Sequence, residues 1–147
     1  MHLYRKGANA ERELIHTLDE KGFSVIRAAG SGVSAMESPD VIAMRGGKAY
    51  AFECKAWNSE HLTIEKDKFI SALEWCENAG AEFHVAWKVQ NKGWYFVKPG
   101  LFSKSPKFYS VSKKKAIAHA DNLNAVLGIQ TRIPKSPARS APAEAAE

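Results

Sequence analysis

A glycine pair set between two strand-like runs fixes the middle of this chain. Asp40 to Met44 and Lys48 to Lys55 flank Gly46-Gly47, and two such runs about a glycine pair signal a β-hairpin. Side chains alternate along a strand, so Tyr50, Phe52 and Cys54 share one face. Glu53 and Lys55 share the other, behind the small Ala49 and Ala51. Asp40 follows Pro39 at the head of the partner strand, where its carboxylate can meet Glu53 near one end of the hairpin. Two carboxylates and an ammonium converging there suit a hard divalent cation and a reacting phosphate. The same residues also describe a turn-opening aspartate and a solvated Glu-x-Lys edge. The rest of the chain has to weigh between them.

A third carboxylate lies upstream. Ala8 to Lys21 is predicted as a helix ended by Gly22, with Leu14, Ile15 and Leu18 as its apolar stripe. Glu11 extends that stripe one turn earlier, where a core-facing carboxylate is costly unless it is paired or binds a metal. A first-turn glutamate that merely meets the helix dipole is the plainer reading. Glu13 points roughly the other way and reads as solvated. Phe23 to Ala28 is the first strand, carrying Arg27. The Gly/Ser loop after it holds Ser31, whose hydroxyl and neighbouring backbone N–H groups suit a phosphate, although such loops are also plain connectors. The P-loop pattern is absent.

Downstream, Ala56 to Thr63 reads as a polar linker carrying Trp57 and His61, with His61 on the surface. A second helix runs from Ile64 or Glu65 to Ala79 before Gly80, with Phe69, Ala72, Leu73 and Cys76 apolar. That face can pack on a sheet or serve a dimer contact, and core packing is the commoner case. Glu82 to Val89 and Gly93 to Lys98 are strands, with His84 read as a packed, hydrogen-bonded histidine. Phe102, Phe108 and Tyr109 lie among lysines between Leu101 and Ser112. They can stack on bases or anchor a loop on the core. Lys113 to Leu127 is predicted helical with a break near His119 to Asn122. Thr131 to Glu147 is rich in Pro, Ala and Ser without periodicity and reads as a disordered tail.

The whole is 147 residues, 45% hydrophobic and 25% charged, which suits one globular domain. The order of elements predicts an α/β architecture, a mixed central sheet flanked by helices. No apolar run has the length of a membrane span, and no signal-peptide stretch opens the chain. The two cysteines, Cys54 and Cys76, lack zinc-site spacing and read as small buried residues in a cytoplasmic setting. A net charge of +5 favours a polyanionic partner.

Lys6-Gly7-x-x-x-Glu11-Arg12-Glu13-Leu14, Arg27-Ala28-Ala29-Gly30-Ser31, Pro39-Asp40 and Glu53-Cys54-Lys55 together resemble the archaeal Holliday junction resolvases. These belong to the restriction-endonuclease-like PD-(D/E)xK nucleases. Leu127-Gly128-Ile129-Gln130 resembles the close of that domain, so residues 1–130 form the expected nuclease domain and 131–147 the tail. The resemblance implies a homodimeric endonuclease that binds four-way DNA junctions by shape and nicks two opposing strands symmetrically. It implies Mg²⁺, with Mn²⁺ as a substitute, held by Glu11, Asp40 and Glu53, and Lys55 assisting the attacking water or the developing charge. Ser31 would stand near the scissile phosphate, with Arg12, Arg27 and Lys6 on the DNA. The tail is a candidate contact for a protein partner. Two alternatives stay open: a nuclease of the same chemistry acting on flaps or forks, and a basic module that binds junctions without cutting.

Overall fold

The computed structural model describes residues 2–28 and 37–129, with side chains from Gly7 onward. A five-stranded mixed sheet is built from β1 (Ser24–Arg27), β2 (Val41–Arg45), β3 (Lys48–Lys55), β5 (Ala81–Val89) and β6 (Gly93–Val97), in the order β1-β2-β3-β5-β6. β1, β2 and β3 are antiparallel neighbours. β3 and β5 run parallel, joined by β4 (His61–Glu65) and the helix α2 (Lys66–Ala79). Such a pair needs a crossover because a hairpin cannot return the chain in the same direction. β6 then folds back antiparallel on β5.

The hairpin forms as the glycine pair requires. Gly46 and Gly47 have φ of 56° and 83°, the doubly left-handed two-residue turn whose twist matches the flanking strands. It sets Val41 opposite Phe52 and Ala43 opposite Tyr50. The alternation then divides the sheet into two buried faces. On one, Tyr50 and Phe52 pack with Leu14 and Leu18 of α1 (His2–Glu20) and with Val126 and Leu127 at the end of the described chain. On the other, Ala51, Val85 and Trp87 pack with Phe69, Ala72 and Cys76 of α2. Both cysteines carry free thiols, and Cys76 lies in that core.

α2 is held chiefly through Phe69. Its ring stacks on Tyr109 at 4.2 Å between centroids and meets Phe102 at 5.1 Å and Phe83 at 6.2 Å. Phe69→Ala is expected to cost about 3–5 kcal/mol, the range for truncating a buried aromatic. Chemical denaturation measures this, and a loss below about 1 kcal/mol would mean that the cluster collapses to fill the gap.

A second sheet, β4-β8-β7, covers the α2 side, with β7 at Ser103–Lys104 and β8 at Phe108–Ser112. The sequence reading missed it. Leu62 and Ile64 are buried between the exposed His61 and Glu65, a half-buried strand pattern of only five residues hidden against the start of α2. Phe102 is buried and Tyr109 stacks in the core, so those two aromatics anchor the fold, while Phe108 is exposed. α1 starts six residues earlier than Ala8 and runs through Gly7, since one helical glycine costs only about 1 kcal/mol. The terminal segment breaks as expected, into α3 (Lys113–His119) and α4 (Leu123–Val126). Residues 131–147 lie outside the described residues.

His84 departs from its expected role. It is buried, yet neither ring nitrogen has a hydrogen-bond partner among the described residues. Glu82 comes only to 3.8 Å of Nδ1. Burial holds the imidazole below its usual pKa even though the charges of Glu82 and Asp121 favour the protonated ring, so desolvation outweighs both carboxylates.

Candidate active site

Asp40 stands one residue before β2, at the end of the β2–β3 ladder. Its backbone carbonyl accepts the Ala28 N–H at 2.8 Å, and its Oδ2 accepts the Cys54 backbone N–H at 2.9 Å. These bonds tie the aspartate to both neighbouring strands. Since Val41 is opposite Phe52, Asp40 falls beside Glu53, as the hairpin reading requires.

Glu53 is only 3% exposed. Burial, then the charge of Asp40, pushes its pKa up to about 7 from an ordinary 4.5. Burial and the charge of Glu11 likewise raise that of Asp40, against the Cys54 hydrogen bond. Two carboxylates crowded in a place poor in water repel each other and lose hydration. A cation of high charge relieves both. Two ammonium groups already face Glu53 Oε2: Lys55 Nζ at 4.0 Å from the same strand, and Lys68 Nζ at 3.2 Å from α2. Lys55 also lies 5.6 Å from the ring centroid of Trp57, whose carbonyl accepts the Trp87 indole N–H at 2.9 Å. The strand end and the polar segment after it are thereby pinned together.

Glu11 reaches this end of the sheet from α1, where its charge acts on Asp40. Its Oε1 accepts from Arg27 Nε at 2.8 Å. Among the described residues no three His, Cys, Asp or Glu side chains come together closely enough to share an ion. The structure thus brings Asp40, Glu53 and Lys55 together directly and sets Glu11 beside them in an ion pair with Arg27. The hard-oxygen donors and the repulsion between Asp40 and Glu53 fit a divalent cation.

Arg12 is exposed and donates to Asn9 Oδ1 at 3.0 Å. Ser31 and the Lys6 side chain lie outside the described residues. Glu13, read as solvated, is exposed but engaged, accepting from Lys88 Nζ and from the Trp94 indole N–H. Lys98 and Lys113 pair with Asp121 and Glu60, so part of the basic surface is internally neutralised. Lys68 is the site residue that the sequence reading missed. A lysine early in a helix carries no signal of its own, and only the fold shows that it meets Glu53. No helix among the described residues is long and apolar enough to cross a membrane.

The sequence model of the archaeal Holliday junction resolvases (Hjc) matches residues 2–133. The crossover junction endodeoxyribonuclease Hjc of Methanocaldococcus jannaschii is 37% identical over 118 residues, 80% of this chain and 84% of that protein. The corresponding protein of Archaeoglobus fulgidus is 32% identical over 108 residues, 74% of this chain and 79% of that protein. The solved structure of A. fulgidus Hjc, described as a Holliday junction resolvase from an archaeal hyperthermophile, superposes with a TM-score of 0.76 at 25% identity. That match covers 86% of this chain and 99% of that one. A bacterial homing endonuclease, at 13% identity and a TM-score of 0.50, covers 97% of this chain and 96% of its own and shares the fold alone.

Proposed function

This chain belongs to the archaeal Holliday junction resolvases, and from that membership we propose a divalent-metal-dependent endonuclease that nicks opposing strands of four-way DNA junctions as a cytoplasmic homodimer. The observation that carries the metal-dependent chemistry is the buried Glu53 set beside the half-buried Asp40, with Lys55 on the same strand as Glu53. Asp40 and Glu53 would hold Mg²⁺, or Mn²⁺ in its place, with Glu11 as the third carboxylate. When bound, the cation would acidify a water and neutralise the phosphate oxygens.

The chain's own groups supply the rest. Lys55 keeps an ammonium within reach of Glu53 Oε2, where it can hold the attacking water or the charge developing on a phosphoryl oxygen. In the reaction a water oxygen bonds to phosphorus, one bridging P–O bond breaks, and the departing oxygen takes up a proton. Arg27, 51% exposed at its side chain, is oriented by Glu11 and would bind a backbone phosphate. Arg12 would do the same from the exposed side of α1, with Lys6 nearby in sequence and Ser31 assigned to the scissile phosphate. Such contacts register DNA without reading bases. Two equivalent cuts on a two-fold junction suit a C₂ dimer, which presents the same site twice.

The test is cleavage of an immobile four-way junction with and without Mg²⁺, against matched duplex, flap and fork substrates. Metal-dependent nicks in two opposing strands of the junction alone are the expected result. A preference for flaps or forks would keep the chemistry and overturn the substrate. Tight junction binding with no cutting under any divalent metal would leave only a binding module.

A further inference from the structure

Lys68 is the third residue of α2 (Lys66–Ala79), where a cation meets the unfavourable end of the helix dipole. It is held there by its neighbour, because Phe69 is buried in the core cluster and fixes the rotation of the helix. The first turn is thereby aimed at the strand end that carries Glu53. Lys68 Nζ then lies 3.2 Å from Glu53 Oε2, the same oxygen that Lys55 approaches at 4.0 Å. The charges of Asp40 and Glu37 also act on Lys68. The two lysines differ in freedom: the Lys55 side chain is 19% exposed on a strand, and that of Lys68 is 43% exposed on a helix. A flexible four-carbon stem that is half in solvent can leave without moving the backbone.

We propose that Lys68 is the resident counter-ion of the metal site: it neutralises Glu53 in the metal-free protein and competes with the divalent cation for that carboxylate. This rests on reading Asp40 and Glu53 as metal ligands. Metal entry then exchanges one cation for another, and a buried carboxylate is not left bare at any stage. Lys68 is thus a positioning residue that acts through Glu53.

The experiment compares wild type, Lys68→Met and Lys68→Arg without DNA, by calorimetric titration with Mn²⁺ and by thermal melting in EDTA and in saturating Mn²⁺. Loss of the competing ammonium in Lys68→Met is expected to tighten Mn²⁺ binding roughly two- to five-fold, the scale of one partly exposed ion pair. The same variant is expected to melt below wild type in EDTA and level with it in Mn²⁺, while Lys68→Arg stays near wild type in both. A merely structural lysine would lower the melting temperature equally with and without metal. Unchanged Mn²⁺ affinity in Lys68→Met overturns the proposal while wild type still binds metal. If wild type itself binds no Mn²⁺, the metal-site reading falls first.

Discussion

Asp40→Asn and Glu53→Gln are each expected to lower junction cleavage by roughly 10²–10³-fold or more, the scale for losing a group that stabilises the transition state, with junction binding retained. The two replacements keep shape and remove charge. Asp40 Oδ2 accepts the Cys54 N–H, and an asparagine oxygen can accept the same bond, so the strand end should survive the change. Glu53 is buried beside Lys55 and Lys68, and a glutamine oxygen there can still accept from an ammonium, while the half-exposed Lys68 is free to turn to solvent. The metal, by contrast, loses a charged ligand in a place of low dielectric, where charge counts most. Junction affinity should hold or rise, because removing negative charge lessens repulsion of the phosphates. Single-turnover cleavage beside a binding titration separates the two effects. A variant that retains full activity would remove that residue from the catalytic set. Glu11→Gln completes the series. A loss of the same size makes Glu11 a ligand, whereas a loss of tenfold or less leaves it as the partner that orients Arg27.

The grouping of Asp40, Glu53 and Lys55 was legible because it is written on one hairpin. Gly46-Gly47 sets the register, alternation puts Glu53 and Lys55 on one face, and Pro39-Asp40 closes the ladder end. The position of Glu11 was legible from helical spacing, but its bond to Arg27 joins α1 to β1, a pairing that spacing alone does not specify. Lys68 was invisible for the same reason, since its contact with Glu53 depends on how Phe69 seats α2. The second sheet was lost for want of a local pairing signal. β7 has only two residues, and β4 and β8, though as long as β2 and β6, pair across the intervening α2, β5 and β6 with no tight turn to join them. Tertiary pairing, not local propensity, makes them strands. His84 shows the limit from the other side. Its burial was expected from its run of apolar neighbours, but that neither ring nitrogen meets a partner among the described residues depends on what the fold packs above it.

Without metal, the protein is expected to melt at higher temperature as pH falls from about 8 to 6.5, because a carboxyl raised in the folded state binds protons there more than in the unfolded chain. Glu53 is the main source, its pKa raised from 4.5 to about 7 by burial and then by Asp40, with Asp40 raised in the same direction. Below about 4.5 both states hold the Glu53 proton, so there is no penalty. Between 4.5 and about 7 the unfolded chain releases it first, and the folded state loses ground as pH rises. Above about 7 the full cost of two crowded charges is present. Two other groups act in the opposite sense. His84, lowered by burial, leaves the unfolded chain with more protons as pH drops through 6.5, which destabilises the fold. Glu13, lowered by Lys88, adds stability that is lost only as pH falls below 4.5. Both terms are common to wild type and Glu53→Gln, so the difference between their melting curves in EDTA isolates Glu53 together with its repulsion of Asp40. Glu53→Gln is expected to melt on the order of 10 °C higher at pH 8, corresponding to about 3 kcal/mol, with the gap closing toward pH 5.5. Saturating Mg²⁺ should remove the loss of stability that the wild type shows as pH rises toward 7, since the cation replaces the proton as the partner of the carboxylates. Parallel pH profiles for the two proteins in EDTA would show that Glu53 is ionised at no cost, and that Lys55 and Lys68 already compensate its burial in full.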